Sequence, residues 1–256
     1  MSKDLQPFWE DLYPIHSFWS DPHHRVKVSA LLNMFQESAW HHAEHLGVGF
    51  QAFITKGLIW VLSRLQLKMY AYPTWGEKVI VRTWPSGRDR LYCYRDFLIL
   101  DEQGQVKGEA ASTWFAVDVK SRRPQPTQLY YPTEIPNTQE SVFSRRPPKL
   151  PGEILSDPVF TTRVGWNDLD ANQHTNNVRY VDWIINSFDG AFLKTHLLKE
   201  LCLNFRSESL LGERVGIRLL MGEERKHRTQ VFRLEDHQIL CQAELKWENL
   251  SVQESE

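Results

Sequence analysis

Residues 64–84, RLQLKMYAYPTWGEKVIVRTW, align without a gap on residues 200–220, ELCLNFRSESLLGERVGIRLL. The offset is a constant 136 residues, which puts Gly76-Glu77 on Gly212-Glu213, Leu65 and Leu67 on Leu201 and Leu203, and Val79 and Val81 on Val215 and Ile217. A second echo pairs residues 110–114 with 243–247 at an offset of 133. Self-similarity at a fixed spacing marks a duplicated structural unit. Working outward, each copy is preceded by a segment of helical period: residues 29–46, ended by Gly47, and residues 178 to about 198. Leu31, Phe35, Ala39, Ala43 and Leu46 form one apolar stripe, and Val178, Val181, Ile185, Phe188 and Phe192 form the other. Alternating segments such as VIVRTW, YRDFLIL and STWFAVD follow the first helix as strands. One long helix and then several antiparallel strands, twice over, predicts an α+β protein in which each sheet wraps its own helix.

That pattern resembles the hotdog fold, so the expectation is a tandem double hotdog. Between the copies, seven of the 13 prolines fall between Lys120 and Pro151, with the basic pairs Arg122-Arg123 and Arg145-Arg146. This stretch reads as an extended connector. The expected division is residues 1–120 for the first hotdog, 121–155 for the linker and 156–256 for the second.

With 30 Lys+Arg against 32 Asp+Glu, the net charge of -2 argues against a general nucleic-acid or membrane binder. Cys93, Cys202 and Cys241 are too few and too scattered for a disulfide framework, and no C-x-x-C pair suggests a structural metal. The start, MSKDLQPFWEDLYPIHSFWSD, has neither a signal-peptide apolar core nor transit-peptide composition. No apolar run reaches the roughly 18–20 residues of a membrane span. The expectation is a soluble cytoplasmic protein without cofactor, metal, nucleic-acid or membrane partner.

Function is concentrated in DLDANQHTNN, residues 168–177, which sits at the mouth of the second helix. A surface turn needs one or two polar residues; here Asp168, Asp170, Asn172, His174, Asn176 and Asn177 stand together. The loop feeds a helix N-terminus, where unpaired N–H groups and the dipole favour negative charge. In an extended loop, Asp170, Asn172 and His174 alternate and point to one side. The structural alternative is Asn176 or Asn177 as N-cap, Asp170 and Asn172 as turn-formers and His174 as a satisfied polar partner.

WNDLDANQHTNNVRYVDW (166–183) is similar to the D-x-D-x-N-x-H-x-N-N-x-x-Y-x-x-W signature of acyl-[acyl carrier protein] thioesterases. The first half resembles the N-terminal hotdog of the same family through SALLNMFQESAWHHAEHLG, TWPSG followed by RDF, and TWFAVDVKSRRP, and the likeness runs from about Phe18 to Trp247. D-x-N-x-H alone is shared more loosely with CoA thioesterases of the hotdog class. The resemblance implies hydrolysis of fatty acyl thioesters on acyl carrier protein (ACP), with Asp170, Asn172, His174 and a Glu in an N-[FY]-x-x-E context as catalytic residues. NFRSES supplies that glutamate as Glu208, which the repeat pairs with Tyr72. The first half has Asp21-Pro-His-His-Arg where the second has its polar loop, which implies one catalytic hotdog and one degenerate copy. Many plant members carry Cys after the Glu; Ser209 here excludes a thiol nucleophile at that position.

Glu208, partly buried on a strand beside an apolar tunnel, is the expected general base. His174 and the helix N-terminus would polarise the carbonyl, Asn172 would orient water or Glu208, and Asp170 would fix the loop or share the base role. Phe35, Trp40, Leu58, Trp60 and Leu62 are candidates for the acyl slot, with Asn176 and Asn177 as further substrate contacts, though ordinary core accounts for each apolar residue as well. Arg122, Arg123, Arg179 and Arg206 are candidate contacts for the acidic carrier protein. His41-His42-Ala43-Glu44-His45 fits a zinc-peptidase H-x-x-E-H pattern, but no third ligand is identifiable. Acyl-CoA hydrolysis, a non-catalytic acyl-binding module and a hotdog dehydratase are the rival functions. The sequence leaves the acyl chain length, and a homodimer of the fused pair, undecided.

Overall fold

A computed structural model describes residues 5–136 and 140–250, so the first four residues of the N-terminal stretch lie outside it. The chain divides into two compact units, Met1–Pro148 and Lys149–Glu256. The first contains β1 (Trp9–Pro14), α1 (Val28–His45), α2 (Phe50–Ile54), β2 (Leu58–Met69), β3 (Lys78–Arg88), β4 (Cys93–Leu100), β5 (Val106–Asp118) and the two-residue β6 (Pro124–Gln125). Its antiparallel strands run in the order β1-β3-β4-β5-β2, with β6 also on β5. The second contains β7 (Phe160–Arg163), α3 (Asn177–Asn186), α4 (Gly190–Thr195), β8 (His196–Phe205), β9 (Arg214–Met221), β10 (Lys226–Arg233) and β11 (Ile239–Asn249). Its order, β7-β9-β10-β11-β8, is that of the first unit strand for strand. The repeat read from the sequence is thus a repeat of topology: two helix-wrapping antiparallel sheets, a double hotdog.

Each helix buries the stripe its period dictates. On α1, Leu31, Phe35 and Ala39 are buried, and Phe35 stacks on Phe97 of β4 with ring centroids 4.8 Å apart. Ser38 on the same face meets Tyr13 of β1, with Oγ and Oη 2.9 Å apart. On α3, Val178, Tyr180, Val181, Trp183 and Ile184 are buried, and Tyr180 meets Phe205 of β8 edge to face. Gly47 follows α1 with φ +74°, the left-handed conformation of a helix-ending glycine.

Three elements differ from the sequence expectation. The second helix does not run to about residue 198. It stops at Asn186, restarts as α4 and gives way to β8 at His196. Ser187 Oγ donates to the Ile184 carbonyl (2.7 Å), and Asp189 Oδ1 accepts the Ala191 N–H (2.7 Å) as a fresh N-cap, so the Asp189-Gly190 pair is a helix start inside an apolar period. The N-terminal segment also supplies an edge strand, β1, although it had no strand signal strong enough to read. The Pro-rich stretch is packed rather than free. Tyr130 is buried against Phe53 and Trp60, Arg146 donates to Ser86 (2.6 Å to its carbonyl) and lies over the Tyr94 ring, and the Ile154 N–H donates to Gln230 Oε1 (2.9 Å). Residues through Pro148 belong to the first unit and those from Lys149 to the second.

His42 sits on the buried face of α1 and is held neutral. Its Nε2–H donates to the Gln6 carbonyl (3.0 Å), and its Nδ1 accepts from Arg95 Nη1 (3.1 Å). Burial, reinforced by the Arg95 charge, pushes its pKa down to about 4. Because the unfolded imidazole takes up a proton near pH 6.5, the unfolded state binds the extra proton as pH falls from about 6.5 to 4. Stability should therefore drop by up to about 1.4 kcal/mol per pH unit in that window. Denaturant titrations at pH 7 and 4.5 check this, and His42→Gln should flatten the dependence.

Candidate active site

The polar loop is a tight turn closed by Asp170, not an extended segment. Asp170 Oδ1 accepts the Asn172 N–H (2.8 Å) and the His174 N–H (3.2 Å). The Asp170 N–H donates to the His174 carbonyl (2.8 Å), and Gln173 adopts φ +64° to complete the reversal. An aspartate that hydrogen-bonds the backbone two and four residues ahead is acting as a turn-former. Asn176 is likewise structural: it is the N-cap of α3, and its Oδ1 accepts the Val178 N–H (3.0 Å).

What the turn achieves is the placement of His174. Its Nδ1 lies 3.1 Å from Glu208 Oε2. Glu208 comes from the segment between β8, which ends at Phe205, and the Gly212 turn, so it follows the strand rather than lying on it. The Glu208 side chain is 44% exposed and that of His174 25%. The two segments are joined by a backbone rung, Thr175 N–H to the Ser209 carbonyl (3.0 Å), immediately after both residues. Asn172 is exposed. Asn177, half-buried, is the first residue of α3.

The first unit contains the same turn. Asp21 Oδ1 accepts the His23 and Arg25 N–H groups (2.8 and 3.0 Å), the Asp21 N–H donates to the Arg25 carbonyl (2.7 Å), and His24 takes φ +62°. The Val26 N–H donates to the Pro73 carbonyl (2.9 Å), matching the Thr175–Ser209 rung. The side chains differ: Arg25 stands at the His174 position and turns back onto Asp21 Oδ2 (2.8 Å), while Tyr72 stands at the Glu208 position. Burial pushes the Tyr72 phenol well up, so no acid–base pair exists there at neutral pH.

Thiol chemistry is disfavoured. Cys93, Cys202 and Cys241 are all buried on strands, and burial pushes the Cys93 thiol up to about 12. The histidines of the H-x-x-E-H pattern are spent on packing. His41 Nδ1 meets Asp11 Oδ2 (2.9 Å), and the His41 and His45 rings lie against Trp9. Among the described residues no group of three or more His, Cys, Asp or Glu side chains gathers to hold a metal.

Comparison with known proteins decides the family. Residues 7–129 match the acyl-ACP thioesterase N-terminal domain and residues 157–249 the C-terminal domain. The chain belongs to the acyl-ACP thioesterase family. It is 33% identical over 215 residues to the chloroplastic palmitoyl-acyl carrier protein thioesterase of Cuphea hookeriana, covering 77% of this chain and 50% of that one. It is 29% identical over 227 residues to the chloroplastic oleoyl-acyl carrier protein thioesterase 1 of Arabidopsis thaliana, covering 78% and 60%. The chain thus spans about half the length of the curated relatives it matches. Among solved structures, an acyl-ACP thioesterase from Bacteroides thetaiotaomicron superposes with TM-score 0.88 at 23% identity, covering 97% of this chain and 100% of the other. The 12:0-ACP thioesterase of Umbellularia californica gives 0.82 at 21%, covering 96% and 98%. These two likenesses carry the fold.

Within this member of the acyl-ACP thioesterase family, the residues expected to line an acyl slot have different surroundings, and only Leu58 and Trp60 share one apolar cluster, with Phe53 and Tyr130. Phe35 is packed on Phe97, and Leu58 and Leu62 are core residues. Trp60 lies on Phe53 (4.4 Å) with its Nε1–H on the Val48 carbonyl (2.8 Å). Trp40 is 46% exposed on the outer side of α1. Of the arginines, Arg179 pairs with Asp182 (3.0 Å), Arg206 donates twice to Gln242 Oε1 (2.9 and 3.1 Å), and Arg122 and Arg123 are exposed after β5. Ser209, Thr175 and Tyr180, whose hydroxyls cluster behind the His174–Glu208 pair, were not singled out as site residues from sequence. Thr175 and Ser209 directly follow His174 and Glu208, and Tyr180 is the tyrosine of the 166–183 signature; these were the available signals. The turn makes a separable prediction. Asp170→Ala should lower unfolding free energy by about 1–2 kcal/mol, since two backbone donors lose their acceptor, whereas Asn172→Ala should change it by less than about 0.5 kcal/mol. Urea unfolding of the two variants measures the contrast.

Proposed function

We propose that the chain hydrolyses the thioester of fatty acyl-ACP to a free fatty acid and ACP, and that the reaction runs at the turn before α3. The observation that carries this is the 3.1 Å contact between His174 Nδ1 and Glu208 Oε2 in a member of this family. A thioester needs only an activated water and a place for developing negative charge. With Nδ1–H donated to the Glu208 carboxylate, the neutral imidazole carries its lone pair on Nε2. Nε2 takes the proton as water attacks the carbonyl carbon, and Glu208 stabilises the imidazolium that forms. Collapse of the tetrahedral intermediate breaks the C–S bond, and the imidazolium returns its proton to the departing thiolate. The exposure of Glu208 and its engagement with Nδ1 shift the base role from the carboxylate to the His174–Glu208 pair. The Asn172 amide and the N-terminal end of α3 supply positive potential for the oxyanion, and Asp170 holds the turn.

The partner is ACP bearing its acyl chain as a thioester, with Arg123, Arg122, Arg179 and Arg206 as basic contacts for its acidic surface. Three buried thiols, none of them in a disulfide, accord with a reducing, cytoplasmic setting. No described helix is long and apolar enough to cross a membrane.

Free fatty acid release from matched acyl-ACP and acyl-CoA series, medium and long, saturated and monounsaturated, tests the reading. Release from the ACP series supports it; release from CoA esters alone moves the chain to CoA thioesterase chemistry, and none from either leaves a binding module. Glu208→Gln and His174→Ala should each lower kcat by about 10²–10⁴-fold. The double variant should be little worse than either single, because the two groups act as one unit. Additive losses would separate their roles.

A further inference from the structure

Behind the His174–Glu208 pair lie three buried hydroxyls that the reaction does not touch. Tyr180 Oη is 2.9 Å from Ser209 Oγ, Ser209 Oγ is 2.7 Å from Thr175 Oγ1, and Thr175 Oγ1 donates to the Ser209 carbonyl (3.0 Å). Tyr180 to Ser209 to Thr175 to that carbonyl forms a chain in which each O–H has an acceptor. Thr175 immediately follows His174, Ser209 immediately follows Glu208, and Tyr180 is fixed on α3. The chain therefore joins the turn, the post-β8 segment and the helix at the point where the two reacting side chains leave the backbone.

The first unit shows that the fold does not require these hydroxyls. Its turn matches residue for residue at an offset of 149 (Asp21 with Asp170) and its post-strand segment at 136 (Tyr72 with Glu208). The counterparts of Thr175, Tyr180 and Ser209 are then Val26, Leu31 and Pro73, all buried, and the backbone rung from Val26 to Pro73 forms without them. An apolar triplet supports the turn where no His–Glu pair exists, and a hydroxyl triplet stands where one does. Buried polar groups demand their partners at fixed distances, which apolar packing does not. We propose that Thr175, Ser209 and Tyr180 are positioning residues that hold His174 Nδ1 against Glu208. The inference rests on the hydrolytic reading above.

The test uses near-isosteric removal of each hydroxyl: Thr175→Val, Ser209→Ala, Tyr180→Phe and the triple variant, with kcat, KM and melting temperature measured on an acyl-ACP thioester. The clamp predicts kcat about 10- to 100-fold lower in the triple variant, as expected for a reacting group displaced by a fraction of an ångström. KM should stay within about twofold and the melting temperature within a few degrees or higher, because Val26, Leu31 and Pro73 already serve the first unit. Thr175→Ser, which keeps the hydroxyl, should restore most of the Thr175→Val loss. Wild-type kcat in the triple variant, or a loss that follows the fraction unfolded, overturns the proposal. A wild-type chain inert on every thioester would instead sink the hydrolytic reading. The clamp then has its own readout, the imidazole nitrogen NMR shifts of His174, which should lose their Nδ1–H···carboxylate signature in the triple variant. Unchanged shifts overturn it.

Discussion

One carboxylate closing on its own backbone underlies the site. Asp170 accepts two N–H groups from residues two and four ahead, which folds the loop into a turn, delivers Thr175 to the Ser209 carbonyl and sets Asn176 as the cap of α3. Without that turn the rung, the helix start and the His174 direction have no common origin. Asp170, which the sequence offers either to fix the loop or to share the base role, gives its Oδ1 to two backbone N–H groups. Asn172 is exposed, while the His174 and Glu208 side chains are each partly buried.

The duplication separates scaffold from chemistry. Asp21 builds the same turn with bond lengths within about 0.2 Å, the Gly76 and Gly212 turns answer one another, and the strand orders coincide. At the turn, the copies differ in side chains on a matching backbone: Arg25 for His174, Tyr72 for Glu208, and Val26, Leu31 and Pro73 for Thr175, Tyr180 and Ser209. Arg25 cannot deliver a proton near neutral pH, and its ion pair with Asp21 closes the turn on itself. One unit carries His174 beside Glu208; its counterpart keeps the turn with Arg25 and Tyr72 in those places.

Legibility followed periodicity and failed where local bonds overrode it. Strands β3, β4 and β5 and the helix α1 were readable because their alternation and 3.6-residue stripes are dictated by which face is buried. The α3–α4 break was not, since Phe188 and Phe192 continue the apolar period across a Ser187 back-bond and an Asp189 cap. Trp40 looked like slot lining by type, yet on α1 it lies on the side away from Phe35, where burial stops. The Pro-rich stretch lacked any period, and its attachment comes from Tyr130, Arg146 and Ile154, each bonded or packed onto residues far away in the chain.

By itself the sequence determined the duplication, the helix-then-sheet order of each half, the family, and the group of residues around His174. Those depend on repeats, periods and motifs, which are properties of neighbours along the chain. Only the tertiary structure decided that His174 Nδ1 meets Glu208, that Glu208 lies past its strand in reach of solvent, and that three hydroxyls close behind the pair. Those facts join segments about 30 residues apart, and a hydrogen bond across such a gap is set by the fold that brings the segments together.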